Sequence, residues 1–430
     1  MTRFCLALGT AVGAVLALAS IASAAPTPDD AWSLPGHFAV PSIVFSPNGR
    51  YVALGGSLGP ADDRCDQTRC PGRLHVWNLQ TGQRVFANTR SFARVMSLVF
   101  TPDGRRLVSG HADGAVMVWN LEDFTIVRQF HCCTGTWVRA LAVSPDGRSL
   151  AIGAQSGELL LWDLSGDLRR QSVVERLTRS WPAHNYGISS LTFDASGRYL
   201  ISSADDQHIR RWDLQTGRNN EFQRSPGREK AHRGMVKTVV LLGDGTQALS
   251  GAYWEGGSYK DYHSVAPPDH VLRLWNVGTG VPIRSFPLTY GIRCCMQVLN
   301  DHLVAFLKAT AWDERLVFQV FNLDTGQVEH EATPTMGESF DAMGMHPNAT
   351  RFLIGIGGGQ YLLWDLTSGK SVAQLLSVDE GWAVFASDGR ADFSEGFRRW
   401  PCRHNLQQAC LGGKDVSPTP GLLARLIEGR

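Results

Sequence analysis

The stretch SLAIGAQSGELLLWDL, residues 149–164, contains the unit from which the chain is built. An apolar strand-like run is followed by a polar turn and by a second run that ends in Trp-Asp. This ending or a close variant occurs seven times: HVWNL at 75–79, MVWNL at 117–121, LLWDL at 160–164, RRWDL at 210–214, RLWNV at 273–277, QVFNL at 319–323 and LLWDL at 362–366. Repeats with a period of this length predict an array of supersecondary units that share one continuous core.

Each unit has the pattern of four strands. The first strand leads into a tight turn such as TPDG at 101–104 or SPDG at 144–147, where Pro fixes φ, Asp bonds the nearby backbone and Gly accepts a positive φ. A second strand, the strand that ends in the aromatic residue, and a fourth strand follow. Seven units of four antiparallel strands predict an all-β, seven-bladed β-propeller over residues 25–376.

On these motifs the chain resembles the WD-repeat (WD40) β-propeller family over residues 36–376, in an exported bacterial form. In that family a His, a Ser or Thr, an Asp and the Trp bond one another inside a blade. The resemblance implies two such networks: His184, Ser202, Asp206 and Trp212 in blade four, and His232, Ser250, Asp269 and Trp275 in blade five. We interpret them as structural, because polar groups that satisfy one another stabilise a blade interior. Blade two has no matching His.

The first 24 residues have the pattern of a signal peptide. Arg3 precedes an apolar run at 6–19, and Ala22-Ser23-Ala24 supplies the small residues of a cleavage site. An uncleaved anchor is the alternative, but the run is short for a membrane span. We therefore expect a periplasmic or secreted protein without a membrane span. The formal net charge of +1 gives no reason to expect a nucleic acid as partner.

The mature chain would keep eight cysteines in an oxidising compartment. We expect local disulfides in two loop-like segments, one between Cys65 and Cys70 and one between Cys402 and Cys410. The sequence leaves the state of the adjacent pairs Cys132/Cys133 and Cys294/Cys295 undecided between buried thiols and bonds to other cysteines. For Cys132/Cys133 there are two further alternatives, a soft-metal site and an adjacent-pair disulfide that forms a ligand platform. Neighbours in a strand alternate, so the side chains of Cys294 and Cys295 are expected on opposite sides.

Residues 377–430 are expected to form a C-terminal extension that packs on the propeller. The sequence predicts a Trp-rich hairpin at 381–393, a loop pinned by Cys402 and Cys410, and a short helix at 422–428. A partial eighth blade is the alternative, although no eighth Trp-Asp ending follows.

The long insertions point to function. They fall at 57–73, 165–184, 217–233, 252–270 and 309–315, and we expect all of them on one face of the propeller. Long loops commonly carry function, and Trp, Tyr and Arg are the usual anchors of interfaces. The expected partner contacts are Trp254, Tyr259, Tyr262, Arg176, Arg179, Arg224, Arg228 and Trp312.

These features predict a non-catalytic scaffold that binds a protein partner. An anionic envelope polymer, a glycan or a small ligand is an alternative partner, and a cofactor-dependent enzyme is a weaker alternative. The chain contains no Gly-x-Ser-x-Gly, His-Glu-x-x-His or Cys-x-x-Cys-His motif. A metal site among Asp261, His263, Asp269 and His270 is disfavoured, because Asp269 belongs to the blade network. We expect no cofactor and no metal.

Overall fold

The computed structural model describes residues 42–57, 71–133, 135–166, 168, 177–225, 230–253, 270–309, 316–333, 342–348, 350–356, 359–377, 381–395 and 418–429. In these ranges the chain forms strands β1–β30 and one short helix, α1. The expected signal peptide and Asp269 lie outside the described residues.

The four cysteines of the two expected loop disulfides also lie outside the described residues. They are Cys65 and Cys70 in the first loop-like segment, and Cys402 and Cys410 in the C-terminal one. The bond between Cys65 and Cys70 and the bond between Cys402 and Cys410 therefore stay predictions.

The strands fall into seven consecutive groups. Blades one to three comprise β1 Ser42–Phe45, β2 Tyr51–Ser57, β3 Pro71–Asn78, β4 Gln83–Ala93; β5 Val95–Phe100, β6 Arg106–His111, β7 Ala115–Asn120, β8 Ile126–His131; and β9 Val138–Val143, β10 Ser149–Ala154, β11 Glu158–Asp163, β12 Leu177–Pro182. Blades four and five comprise β13 Ile188–Phe193, β14 Tyr199–Ala204, β15 Ile209–Asp213, β16 Asn219–Glu221; and β17 Met235–Leu242, β18 Gln247–Tyr253, β19 Val271–Asn276, β20 Val281–Pro287. Blades six and seven comprise β21 Ile292–Val298, β22 Leu303–Ala309, β23 Leu316–Asn322, β24 Gln327–Ala332; and β25 Ala342–Met345, β26 Arg351–Gly355, β27 Gln360–Asp365, β28 Lys370–Ser377. The remaining elements are β29 Trp382–Ala386, β30 Ala391–Phe393 and α1 Leu422–Ile427.

Each blade is an antiparallel sheet whose strands pair in chain order. The first strands of neighbouring blades pack side by side from β1 through β5, β9, β13, β17 and β21 to β25, and β25 packs against β1. The first strands therefore form the innermost ring of a closed, seven-bladed propeller. The fold predicted from the repeats is confirmed.

Antiparallel pairing assigns every connection to one of two faces. Turns between second and third strands, and the crossings between blades, lie on what we call the insertion face. Turns between first and second or third and fourth strands lie on the opposite face, the turn face. Three of the predicted insertions, 57–73, 252–270 and 309–315, join second to third strands on the insertion face. The segment 217–233 contains the outer strand β16, and only the crossing from β16 to β17 lies on the insertion face.

The insertion predicted at 165–184 contradicts the expectation that all of them share one face. Residues 177–182 are not loop but the outer strand β12, in which Leu177 pairs with Trp162 of β11. Because β11 and β12 are the third and fourth strands of blade three, the connection between them belongs to the turn face. The boundary at 184 was wrong because β12 is rich in polar residues and has no clear alternation.

Neighbouring blades approach closely through their second strands. A Cβ on Gly110 would lie 2.4 Å from the side chain of Val138, and one on Gly153 would lie 2.7 Å from that of Ile188. Farther out, blades two to five each pack an aromatic residue against the next blade, from the outer strand in blades two, three and five and from directly after it in blade four. The ring that it contacts is the Trp of the next repeat, or Phe321 in blade six. The ring centroids of Phe130 and Trp162, for example, are 4.3 Å apart.

The interface between blades seven and one, which we call the seam, is built differently. The outer strand β28 carries Leu375 at the register position where β8 carries Phe130. Strands β29 and β30 extend the blade-seven sheet to six strands. Trp382 of β29 packs edge-on against Trp77 of blade one, with 5.0 Å between ring centroids. The C-terminal hairpin thus supplies the aromatic contact that β28 lacks.

Polar contacts also cross the seam. The ring nitrogen Nδ1 of His75 lies 2.8 Å from Ser377 Oγ, and Arg84 donates a hydrogen bond of 3.1 Å to the carbonyl oxygen of Gly381. Burial, together with the charges of Arg84 and Arg73, holds the pKa of His75 well below its usual value. His75 is therefore neutral in the folded protein.

Helix α1 covers the seam on the turn face. Leu422, Leu423, Leu426 and Ile427 share one apolar cluster with residues of blades one and seven and of the hairpin. Arg351 of blade seven donates a 3.0 Å hydrogen bond to the carbonyl oxygen of Leu426. A Cβ on Gly82 of blade one would meet Gly421 Cα at 3.0 Å. The hairpin and α1 therefore belong to the propeller rather than to a separate sheet.

Candidate functional site

A β-bulge recurs near the insertion-face end of the innermost strands. In five blades the register skips one residue there: Met96, Arg139, Ser189, Lys237 and Arg293. Bulges change the direction of a side chain and are common beside functional sites. Three of the five bulged residues are cations, so the bulges bring positive charge to the channel mouth, by which we mean the insertion-face opening of the inner ring.

Asp205 links three of these blades. It lies in the turn between β14 and β15, and it accepts hydrogen bonds of 2.6 Å from Arg139 Nη1, 3.0 Å from Lys237 Nζ and 3.1 Å from Ser189 Oγ. Burial alone would raise the pKa of Asp205, but the charges and hydrogen bonds of Arg139 and Lys237 lower it. The carboxylate is ionised and joins blades three, four and five. We call Arg139, Gln155, Ser189, Asp205 and Lys237 the mouth cluster.

The neighbouring blade crossing is shaped around Arg139. The guanidinium group also donates a 3.0 Å hydrogen bond to Gln155, and a Cβ on Gly187 would lie 2.5 Å from it. A larger residue at position 187 would require the guanidinium to shift. Tyr186, the residue before Gly187, leaves 65% of its surface exposed, which is the largest fraction among the exposed large hydrophobic side chains described. An exposed aromatic ring therefore stands beside a pre-ordered polar cluster.

The mouth cluster was not predicted from the sequence. Its members come from three blades and are close only after the ring forms. One signal was available: the residue before the acidic network position is Asp205 in blade four but Ala112 in blade two. A second carboxylate in this turn is not needed by the blade network.

The structure brings together the predicted network of blade four. Ser202 Oγ accepts a 2.9 Å hydrogen bond from the Trp212 indole and lies 2.7 Å from His184 Nε2. His184 Nδ1 is 3.0 Å from each carboxylate oxygen of Asp206. Burial lowers the pKa of His184. Burial would raise the pKa of Asp206, but bonds from His184 and two backbone N–H groups bring it to about 2.

Blade five repeats this arrangement. Ser250 Oγ accepts a 2.7 Å hydrogen bond from Trp275 and lies 2.7 Å from His232 Nε2. In both blades an arginine two residues before the Trp, Arg210 or Arg273, donates a 2.8 Å hydrogen bond to the carbonyl that precedes the His. Arg occurs at this position only in these two repeats, so comparison of the repeats could have found it.

Blade two obtains its imidazole from an unexpected place. His111, at the end of β6, lies with Nε2 2.8 Å from Ser109 Oγ, which also accepts a 2.9 Å hydrogen bond from Trp119. Its other ring nitrogen is 3.0 Å from the carbonyl oxygen of Ala93. No histidine was predicted for blade two, because none stands before its first strand at the position that His184 and His232 occupy in blades four and five.

The two adjacent cysteine pairs both place their sulfurs together. The Sγ atoms are 2.7 Å apart in Cys132/Cys133 and also in Cys294/Cys295. The expectation that Cys294 and Cys295 point to opposite sides is wrong. The register skips Arg293 and Cys295 on either side of Cys294, and Cys295 has a φ of 56°, so the strand does not alternate there.

Two of the eight expected partner contacts lie within the described residues. Arg179 is on β12 and donates a 3.1 Å hydrogen bond to the carbonyl oxygen of Gln215, in a turn of the turn face. It therefore does not line the insertion face. Arg224 lies in a crossing of that face and is half-buried. Outside the described ranges are Trp254, Tyr259, Tyr262, Arg176, Arg228 and Trp312.

The described residues contain neither a metal-binding cluster nor a membrane-spanning helix. No group of three or more His, Cys, Asp or Glu side chains is arranged to hold a metal ion there. No helix in that part of the chain is long and apolar enough to cross a membrane.

The architecture and the blade networks define the class: a seven-bladed β-propeller built from Trp-Asp repeats. The profile of the WD40 family (WD domain, G-beta repeat) matches residues 29–65, 83–120, 124–163 and 175–213, a little over a third of the chain. Known relatives point the same way, and together these matches support the WD40-repeat family for this chain.

The relatives are distant. WD repeat-containing protein 18 of Bos taurus is 25% identical over 328 residues, which cover 71% of this chain and 65% of that protein. The APC/C activator protein CDC20 of Saccharomyces cerevisiae is 23% identical over 214 residues, 49% of this chain and 30% of that protein. Small ribosomal subunit protein RACK1 of Candida albicans is 31% identical over 104 residues, 24% and 28%. The alignments span less than two thirds of each relative.

A solved structure confirms the fold. A chain in the crystal structure of the mitotic checkpoint complex superposes with a TM-score of 0.58 at 15% identity, covering 75% of this chain and 86% of that one. At this identity the likeness concerns the fold alone.

Proposed function

We propose that this protein is a non-catalytic, exported interaction scaffold that binds a protein partner at the channel mouth on the insertion face. The observation that carries the proposal is the mouth cluster with Tyr186 beside it. Arg139, Asp205 and Lys237 hold one another in place before any partner arrives. A pre-ordered site loses little side-chain entropy on binding, and this favours affinity.

The chemistry of the mouth suits a protein surface. Tyr and Arg are enriched among the residues that dominate binding energy, and Tyr offers a large ring with a polar end. Relatives that include an APC/C activator and a small ribosomal subunit protein are consistent with a role in assemblies. Export is supported by the signal-like residues 1–24.

The binding proposal is tested with a photo-crosslinking amino acid at position 186 and, as a control, at position 283. Ile283 is also exposed, at 53%, but it lies on the outer strand β20. A partner band from position 186 alone is expected. For the captured partner, Tyr186→Ala is expected to cost about 2 kcal/mol, roughly 30-fold in Kd, while Ile283→Ala leaves Kd unchanged. Equal crosslinking from both positions, or an unchanged Kd for Tyr186→Ala, would refute the site.

Export is tested separately by N-terminal sequencing of the protein from fractionated cells. The expected mature N-terminus is Ala25, in the periplasm or the medium. An intact N-terminus in the cytoplasm would refute export and leave the binding proposal standing.

A further inference from the structure

The pair Cys294/Cys295 is held in an arrangement that an ordinary strand does not allow. Successive side chains of a strand point to opposite faces, which keeps neighbouring sulfurs apart. Here one register shift precedes Cys294 and another follows it. Cys295 takes a left-handed backbone conformation, which is uncommon outside glycine. The two Sγ atoms consequently lie on one side, 2.7 Å apart.

This arrangement is a local exception within β21. In the four other bulged blades, only the residue near the insertion-face end is skipped, and the pairing of the first two strands then continues without a further shift. In β21 the second shift is additional and falls at Cys295. The extra bulge has one evident geometric result, which is the meeting of two thiols.

The pair is also accessible. Cys294 and Cys295 are both partly exposed, whereas in the other adjacent pair Cys132 is partly exposed and Cys133 is buried. The hydrogen bond to Cys133 and burial raise the pKa of Cys132, which keeps that thiol protonated and slow to attack. Two pairs with the same sulfur separation therefore differ in accessibility, and this difference supplies an internal control.

We propose that Cys294 and Cys295 form a redox site that interconverts between a dithiol and an adjacent-pair disulfide by exchange with a disulfide-bearing reactant. One cysteine thiolate attacks a sulfur of the reactant, forms a mixed disulfide and releases the first reactant thiol. The second cysteine thiolate then attacks the protein sulfur of that bond and releases the second thiol. The two protons lost by the cysteines are taken up by the two released thiolates. The protein dithiol is oxidised and the reactant disulfide is reduced.

The test uses the full chain, first reduced, then incubated with oxidised glutathione and alkylated before peptide mass spectrometry. The peptide that contains Cys294 and Cys295 is expected to carry no alkyl group and to weigh less than the unalkylated dithiol peptide by two hydrogen atoms. The peptide with Cys132 and Cys133 is expected to stay largely alkylated over the same time. Reduction should restore alkylation of Cys294 and Cys295.

Single variants report on the intermediate. Cys294→Ser and Cys295→Ser each remove the neighbouring thiol that would resolve the mixed disulfide, so at least one variant is expected to accumulate a stable mixed disulfide with glutathione. In the control Cys132→Ser/Cys133→Ser the Cys294–Cys295 bond should form as in the unchanged protein. Circular dichroism checks that each variant is folded.

Three results would overturn the proposal. Both cysteines could remain alkylated after oxidation, either could be found bonded to a different cysteine, or the unchanged protein could stop at the mixed disulfide. None of these results bears on partner binding at Tyr186, so the two proposals fail separately.

Discussion

Substitution of Trp382 by alanine is expected to open the seam. The side chain is 7% exposed and packs against Trp77 with 5.0 Å between ring centroids. Truncation of a buried Trp to Ala costs about 3–5 kcal/mol, and an aromatic pair accounts for about 0.5–1.5 kcal/mol of such a cost. We therefore expect the free energy of unfolding to fall by about 3–5 kcal/mol.

The assay is urea unfolding followed by circular dichroism, with hydrogen exchange to locate the damage. Phe222→Ala is the matched control, because Phe222 packs on Trp275 at the interface of blades four and five with centroids 5.4 Å apart. In Trp382→Ala, amide hydrogen exchange should accelerate in β1, β3 and β28–β30. In Phe222→Ala it should accelerate in β16 and β19. Each variant should leave the other region protected.

A double-mutant cycle isolates the ring contact. Trp77→Ala, Trp382→Ala and the double variant should give a coupling free energy of about 0.5–1.5 kcal/mol. A loss below about 1 kcal/mol for Trp382→Ala, well short of the range for a buried Trp, would contradict the role assigned to the hairpin. A coupling of zero would contradict the contact itself.

Further predictions concern blade interiors. Ser202→Ala should lower the free energy of unfolding by about 2–4 kcal/mol, because it leaves the ring nitrogens of His184 and Trp212 without their partner. The control Ser203→Ala should leave the free energy of unfolding nearly unchanged, since Ser203 Oγ is buried and has no hydrogen-bond partner among the described residues. Both are measured by urea unfolding, and equal losses would refute the network. Gly153→Ala should cost about 1–3 kcal/mol by overpacking against Ile188, and a thermal midpoint at or above that of the parent would contradict the close approach. Burial lowers the pKa of three histidines, His75, His111 and His184. Because such an imidazole binds its proton more readily in the unfolded state, the free energy of unfolding should fall as the pH drops below about 6.5. An unfolding free energy that stays constant from pH 7 to about 5 would show that the pKa values of these histidines are not lowered by folding.

Repetition made the fold predictable. The Trp-Asp ending recurs once per blade, and each Pro-Asp-Gly turn is set by local backbone preferences, so seven imperfect copies agree on one architecture. The same repetition located the networks of blades four and five, where the His and Asp keep their spacing from Trp212 and Trp275. It failed in blade two, because His111 reaches the equivalent serine, Ser109, from the end of the second strand and not from the crossing before the first strand.

The mouth cluster and the seam could not be predicted in this way. Asp205 meets Arg139 and Lys237 only when three blades are arranged around the ring, and no local pattern encodes the bulges that aim these side chains. The β12 boundary failed because Leu177–Pro182 is a polar outer strand without alternation. The meeting of Cys294 with Cys295 depends on a second bulge in β21, which a period of two does not reveal.

The pairing of every blade from consecutive strands has a consequence for synthesis. Because each strand after the first in a blade pairs with the strand before it in the chain, a blade can form as it leaves the ribosome and pack against the one already made. The seam is the exception: His75 and Ser377 are 302 positions apart. Until the last blade and its hairpin have been made, blade one carries an uncovered apolar flank around Trp77. We therefore expect a nascent chain to misassemble mainly while this flank is uncovered, and not during the formation of any single blade.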